Sequence, residues 1–273
     1  MVITSADREQ LRSEGWVLVR GVVPPNNVRA ALRSICAFHE IVMDDPTTWY
    51  RVPPECWDIV PVHHAESFWD NRALPTVHAA FAELIGTERL WVSMDRGSLK
   101  PPASGHPAFD RTTALHWDAK PRERLRDPRP WLQGLVFLTD TTPERAPFEC
   151  VPSLFRDAAD WLAAHSDAND EPDVAGREVV QVTGKAGDLV VWNALLPHRP
   201  GNNDADAPRA AQYIAMHEAG TRKETAQERV ALWRDRRVPP GWRSWPPTVI
   251  DPEPGPVPEL DALGRRLLGL DPW

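Results

Sequence analysis

The sequence predicts a mainly β fold: a strand-rich core with helices packed at its flanks. Three observations carry that expectation. From residue 89 onward, apolar residues alternate with polar ones or run in short blocks bounded by turn residues, which is the strand pattern. The strict succession of strand and helix that a parallel, doubly wound sheet requires is missing. Proline, at 29 of 273 residues, is about twice its usual share, so connections are stiff and long helices few.

The first forty residues read helix, strand, helix. Ser5 is the expected cap of a short helix that stops at Gly15, and WVLV at 16–19 is a strand. The PPNN break at 24–27 offers an Asn cap to a helix over 28–40, with Val28, Leu32, Ile35 and His39 on one face. Residues 41–74 interleave prolines with Trp49, Tyr50, Trp57 and Trp69 and read as irregular, either a pinned loop or a wall facing a ligand. A helix over 75–86 opens on Pro75 and closes on Gly86. Strands are expected over 90–94, 131–140, 147–151, 177–182, 188–193 and 209–216, with one helix at 155–165 between them. Beyond Gly220 come a basic helix, a proline-rich tract over 239–258 and a short helix near 259–268. No internal repeat is present.

Thirty-one basic against 39 acidic residues give a net charge of −8, so nucleic acid is not the expected partner. The N-terminal stretch lacks a basic segment followed by an apolar one, and no apolar run approaches a membrane span. Three cysteines without a CxxC spacing fit a reducing compartment. A cytoplasmic protein without membrane contact is the expectation. The KPRERLRDPR run at 120–129 reads as a solvated loop or as a patch for an anionic substrate.

The chemistry lies in a few histidines. His116-Trp117-Asp118 falls in a strand-like stretch, 113–118, where residues two apart share a face, so imidazole and carboxylate stand side by side. His198, 80 residues beyond Asp118 and between an apolar strand and a turn, is the candidate third ligand. Two His and one carboxylate on one face of an ion leave the opposite positions open, which suits non-haem Fe(II). Zinc is the competing ion. Arg209, eleven residues after His198, opens an apolar strand, and a buried guanidinium needs an anion. Together these residues describe a site for iron and a dicarboxylate. The other histidines read as surface or internally satisfied residues, with His106 the one to watch as a substrate contact.

Six blocks in order resemble the phytanoyl-CoA dioxygenase family of Fe(II)/2-oxoglutarate oxygenases: TSADREQLRSEGWVLVRGVVPP, WVSMDRGSLKPP, LHWD, WLQGLVFLTDTTPERAPFECVP, GDLVVWNALLPHRPGNN and APRAAQYIAM. They run from about Thr4 to His217. The resemblance implies a double-stranded β-helix of jelly-roll type. It implies Fe(II) on His116, Asp118 and His198, with 2-oxoglutarate and O2 as co-substrates and the 5-carboxylate of 2-oxoglutarate on Arg209. Lys100 and Gln133, in blocks like the family's, are further candidates for lining the cofactor site. Asp118 fills the slot that halogenating relatives leave to chloride, so halogenation is not expected. The loop reading Ser153-Leu154-Phe155-Arg156 departs from the family's glycine and histidine there, which leaves the substrate class open.

The expectation is therefore one oxygenase domain over 1–273. Its jelly-roll core runs over about 89–218, with an N-terminal flank at 1–88 and a C-terminal extension at 219–273 that is a candidate homodimer contact. The reaction is oxidation, foremost hydroxylation, of an unactivated C–H in a small, largely apolar metabolite. Two alternatives use the same ligands. One is a jelly-roll binding protein that keeps its metal; the other is an isomerase or hydrolase with a redox-inert metal, and neither has use for Arg209.

Overall fold

The computed structural model describes residues 1–103, 106–110, 113–127, 129–165, 171–243 and 250–273. Residues 244–249 of the proline-rich tract and Pro128 of the basic run lie outside them. Helix α1 (Ser5–Glu14) is capped by Thr4 rather than Ser5. The reason is the residue three positions on: Asp7 answers Thr4 and closes a capping box, whereas Ser5 would face Arg8. Gly15 then ends the helix at φ +79°, where a side chain would be strained. Strand β1 (Trp16–Val19) follows. Helix α2 (Pro25–Phe38) starts three residues before the expected Val28, because Pro25 has no N–H to leave unpaired in a first turn. Asn26 and Asn27 lie inside that turn and cap nothing.

Residues 41–74 are more ordered than the sequence suggests, with strand β2 (Ile59–Val60) and helix α3 (Glu66–Arg72), and helix α4 (Pro75–Ile85) is as expected. The remaining strands are β3 (Leu90–Val92), β4 (Gly97–Lys100), β5 (Leu132–Phe137), β6 (Phe148–Cys150), β7 (Val180–Val182), β8 (Leu189–Asn193), β9 (His198–Pro200), β10 (Arg209–Tyr213) and β11 (Met216–Glu218). The remaining helices are α5 (Pro121–Arg124), α6 (Pro152–Arg156), α7 (Ala158–Ala164), α8 (Ala226–Arg234) and α9 (Ala262–Leu268). The single helix expected at 155–165 is thus two, α6 and α7. Helical residues outnumber strand residues, so the architecture is mixed α/β rather than mainly β, with antiparallel pairing throughout the named sheets.

The larger sheet has the order β1-β8-β5-β10-β4-β2 and a smaller one the order β7-β6-β9, while β11 pairs with β3. The stretch 209–216 therefore divides between two sheets. The larger sheet takes its two edge strands, β1 and β2, from the segment read as a flank. Its outer face (Leu99, Leu132, Val136, Leu189, Val191, Ala210) packs on α2, α3 and α4 through Ile35, Phe68 and Phe81. Its inner face (Leu135, Phe137, Val190, Trp192, Ala211) packs on Phe148, Cys150 and Val182 of the smaller sheet. Burial on both faces explains why LVVW and LVF read as continuous apolar runs. At Gly134 of β5 a Cβ would stand 2.6 Å from the Ile214 carbonyl oxygen, so only glycine lets the crossing chain pass.

Two buried guanidiniums fasten the C-terminal extension. Arg229 donates to the carbonyls of Leu268 (2.9 Å), Leu267 (3.2 Å) and Val92 (2.5 Å), tying α8 to α9 and β3. Arg236 donates to the carbonyls of His64 (2.9 Å), Pro254 (2.7 Å) and Pro256 (2.6 Å). Among the described residues no helix is long and apolar enough to cross a membrane.

Candidate active site

Ligand atoms of His116, Asp118 and His198 all lie within 4.8 Å of one another. The expected strand at 113–118 reduces to one bridge, in which His116 and His198 exchange backbone hydrogen bonds of 3.1 Å each. That bridge suffices. It joins the loop to β9, while β9 is fixed by pairing Cys150 with His198. Alternation around it turns Trp117 away, its indole N–H donating to the Leu195 carbonyl at 2.8 Å.

Each imidazole donates its Nδ1–H to the carbonyl two residues before it, His116 to Ala114 (3.0 Å) and His198 to Leu196 (2.9 Å). This leaves both Nε2 atoms facing Asp118, at 3.4 Å from Oδ1 and 3.2 Å from Oδ2. A carbonyl behind each ring is what a metal-ligating histidine requires, because it fixes the tautomer and ring angle. His198 is held further by Phe148, stacked at 5.5 Å, and by Trp192 at 4.9 Å. Burial alone would raise the Asp118 carboxyl, but the charges and hydrogen bonds of His198 and His116 outweigh it and hold the group well below its ordinary value. Burial would lower His116, and its hydrogen bond to Asp118 raises it instead. The three groups are short of a cation, and they have the donor set and spacing for a divalent metal.

Arg209 is 2% exposed at the start of β10. Its Nη1 lies 3.4 Å from Ser98 Oγ, and its Nε–H has no partner among the described residues. Burial pulls the guanidinium down, with Tyr213 and Asp58 offsetting only part of the effect. A donor group of this kind fits an incoming carboxylate. Lys100 sits opposite Arg209 in the β4–β10 register, but its ammonium donates to the Gly201 carbonyl at 2.9 Å and lies 3.8 Å from Asp58. Gln133 donates to Asp118 Oδ2 at 2.6 Å, so its contact is with the carboxylate of the candidate metal triad.

Triad and Arg209 open on one cavity of about 1260 Å³, walled by aromatic residues including Trp57, Trp131, Phe148, Trp192 and Trp242. Sequence reasoning missed two parts of this wall. The C-terminal extension supplies much of it, from Arg222 to Arg243, and no motif in that stretch announces it. Arg96 lines it too, and its signal was the alternation Arg96, Ser98, Lys100, hidden because GSLK does not read as a strand. His106 is not on the wall; it stacks on Tyr50 at 4.4 Å. His63 and His64 are fully buried and donate to the carbonyls of Met94 (3.0 Å) and Arg237 (2.9 Å). In the basic run, Arg122 donates to carbonyls of Leu162 and His165, and Arg124 and Arg129 both pair with Asp127.

Comparison with known proteins gives a consistent result. The sequence profile of the phytanoyl-CoA dioxygenase (PhyH) family matches residues 11–211. A Dictyostelium discoideum protein whose name places it among the phytanoyl-CoA dioxygenases is 22% identical, over 76% of this chain and 73% of its own. Among solved structures, the hypothetical protein JW0805 from Escherichia coli superposes with a TM-score of 0.67 at 17% identity, covering 98% of this chain and 82% of that one. HygX from Streptomyces hygroscopicus, with nickel and 2-oxoglutarate bound, gives 0.57 at 15% identity, covering 81% and 89%. At such identities the structural likeness is one of fold.

Proposed function

Because the chain belongs to the phytanoyl-CoA dioxygenase family of Fe(II)/2-oxoglutarate-dependent oxygenases, we propose that it oxidises an unactivated C–H of a small, largely apolar metabolite. Hydroxylation is the foremost outcome, coupled to decarboxylation of 2-oxoglutarate to succinate. One observation carries the reading: two inward-facing Nε2 atoms and a carboxylate share a cavity with a buried arginine whose Nε–H has no acceptor among the described residues.

His116, Asp118 and His198 would hold the metal and leave its opposite side open. Fe(II) bound there supplies the redox chemistry, with O2 and 2-oxoglutarate as co-substrates. Arg209 binds the distal carboxylate of 2-oxoglutarate and so orients it. Gln133 keeps Asp118 in its ligating rotamer. The aromatic walls exclude water and hold the substrate over the metal. Bound nickel and 2-oxoglutarate in HygX support this assignment by analogy of fold. Lys100 lends its charge from β4, the strand beside Arg209's. With Asp118 present no slot is left for a halide. The two facing sheets are the walls of a double-stranded β-helix, whose core at about 89–218 is extended by the edge strands β1 and β2, with the whole chain acting as one domain on a small-molecule substrate.

The test is an anaerobic titration of metal-free protein with Fe(II), then 2-oxoglutarate, watching for the weak visible charge-transfer band of a chelated keto acid. The band should form in the wild type and weaken in Arg209→Ala. A protein that binds a divalent metal but never gives the band is not a 2-oxoglutarate oxygenase.

A further inference from the structure

Arg96 is a part of the cavity wall that the oxygenase reading leaves unused. It precedes β4, where alternation puts it in the row of Ser98 and Lys100, whose partners on β10 are the inner-face Ala211 and Arg209. The residue is 9% exposed, and its Nε and Nη1 have no hydrogen-bond partner among the described residues. Asp95 Oδ1 forms an ion pair with Nε at 3.3 Å while accepting the Arg96 backbone N–H at 2.8 Å, so it balances charge on that side and leaves Nη1 without an acceptor among the described residues. One face of the guanidinium is covered by Trp242, with 3.6 Å between the guanidinium carbon and the ring centroid.

The backbone carrying Arg96 is clamped on both sides. Arg72 Nη2 donates to the Asp95 carbonyl at 2.7 Å, the His63 ring to the Met94 carbonyl at 3.0 Å, and the Tyr213 N–H to the Arg96 carbonyl at 3.0 Å. The side chain is therefore positioned before any ligand arrives, which lowers the entropy cost of binding. A buried guanidinium with open donors is costly unless an anion completes it. Arg209 has the same shortage in the same cavity, and 2-oxoglutarate has one distal carboxylate to give it. Arg96, paired with Asp95 at Nε only, has its Nη1 side left for another. Cationic side chains outnumber acidic ones around this cavity, although the chain's net charge is −8.

We propose that Arg96 is the binding site for a carboxylate of the substrate, and that the substrate class is amphipathic acids: an apolar body against the tryptophans, one carboxylate on Arg96 beneath Trp242. A planar carboxylate matches a guanidinium edge and needs only one such residue, whereas a phosphate dianion calls for more donors than Arg96 alone offers. This deepens the oxygenase reading and rests on it.

The experiment is isothermal titration, under argon, of protein loaded with Fe(II) and 2-oxoglutarate. The probes are benzoate, 3-phenylpropanoate and decanoate, each beside its primary amide, with phenyl phosphate as a further probe. At least one acid should bind tenfold or more tightly than its amide. Arg96→Gln should remove that preference while the 2-oxoglutarate charge-transfer band forms with unchanged affinity. Trp242→Ala, at a half-buried position, should weaken the acid several-fold without touching the band. No preference of acid over amide, through equal binding or through none, overturns the proposal. Phenyl phosphate binding better than every acid overturns it in favour of a phosphorylated substrate. Loss of the band in Arg96→Gln overturns it by making Arg96 a 2-oxoglutarate ligand. Absence of the band in the wild type is a different result: it removes the oxygenase reading itself.

Discussion

Gln133 shows how one side chain can orient a candidate metal ligand without being one. Its amide holds Asp118 Oδ2 at 2.6 Å, so truncation frees the carboxylate to rotate. Gln133→Ala should lower Fe(II) affinity about 10–100-fold, as loss of a group that orients a metal ligand generally does. Competition with a coloured chelator under argon measures it, and unchanged affinity would show that Asp118 is fixed by other contacts. Arg209→Lys keeps the charge but loses the fork, so 2-oxoglutarate affinity should fall at least about tenfold. These residues were legible because their chemistry is short-range: His two positions from Asp, a second His before a turn, an Arg opening an apolar strand. Arg96 was not, because an arginine in RGSLK reads as solvated until a neighbouring tryptophan is known to cover it.

At the scale of elements, the crossing at Gly134 and the clamp at Arg229 are the tightest constraints. Gly134→Ala forces a methyl against the Ile214 carbonyl and should destabilise the protein by about 1–3 kcal/mol in urea melts. A wild-type midpoint would mean that β5 and β10 can part without cost. Arg229→Met strands three carbonyls and Glu224 and should cost about 3 kcal/mol or more. Burial raises Glu224, but His217 and Arg229 outweigh it and bring it down to about 2 from 4.5, so its contribution is complete above about pH 4.5 and is lost as pH falls towards 2. Burial lowers His217 from 6.5 to about 4, so it too favours the fold less as pH falls from about 6.5 to 4. Stability should therefore decline on acidification, and Glu224→Gln should flatten the decline below pH 4.5. A variant that loses stability as steeply as wild type there would place the sensitivity elsewhere. Elements with strong local signals, such as α4 between Pro75 and Gly86, were readable. Strands β4 and β9 were not, since four and three residues carry too little pattern and exist only through their partners.

Over the whole molecule, the C-terminal extension is part of the core rather than an appendage. Leu267 and Leu268 are fully buried, and the Trp273 indole donates to the Leu90 carbonyl at 2.9 Å. Each buried leucine contributes about 1.5–3 kcal/mol, so ending the chain after Pro258 should lower the unfolding temperature by many degrees. An unchanged calorimetric midpoint would show that α9 is dispensable. The sequence by itself carried most of the core strands and pointed to Arg209 and to the His116, Asp118 and His198 that the fold brings within 4.8 Å, because alternation and donor chemistry leave local patterns at each position. Only the tertiary structure decided that β1 and β2 join the main sheet, that α8 and the turn at Pro240–Trp242 wall the cavity, and that Trp242 covers Arg96. Those contacts link residues from about forty to more than a hundred and seventy positions apart, and packing chooses such partners without leaving a local pattern to read.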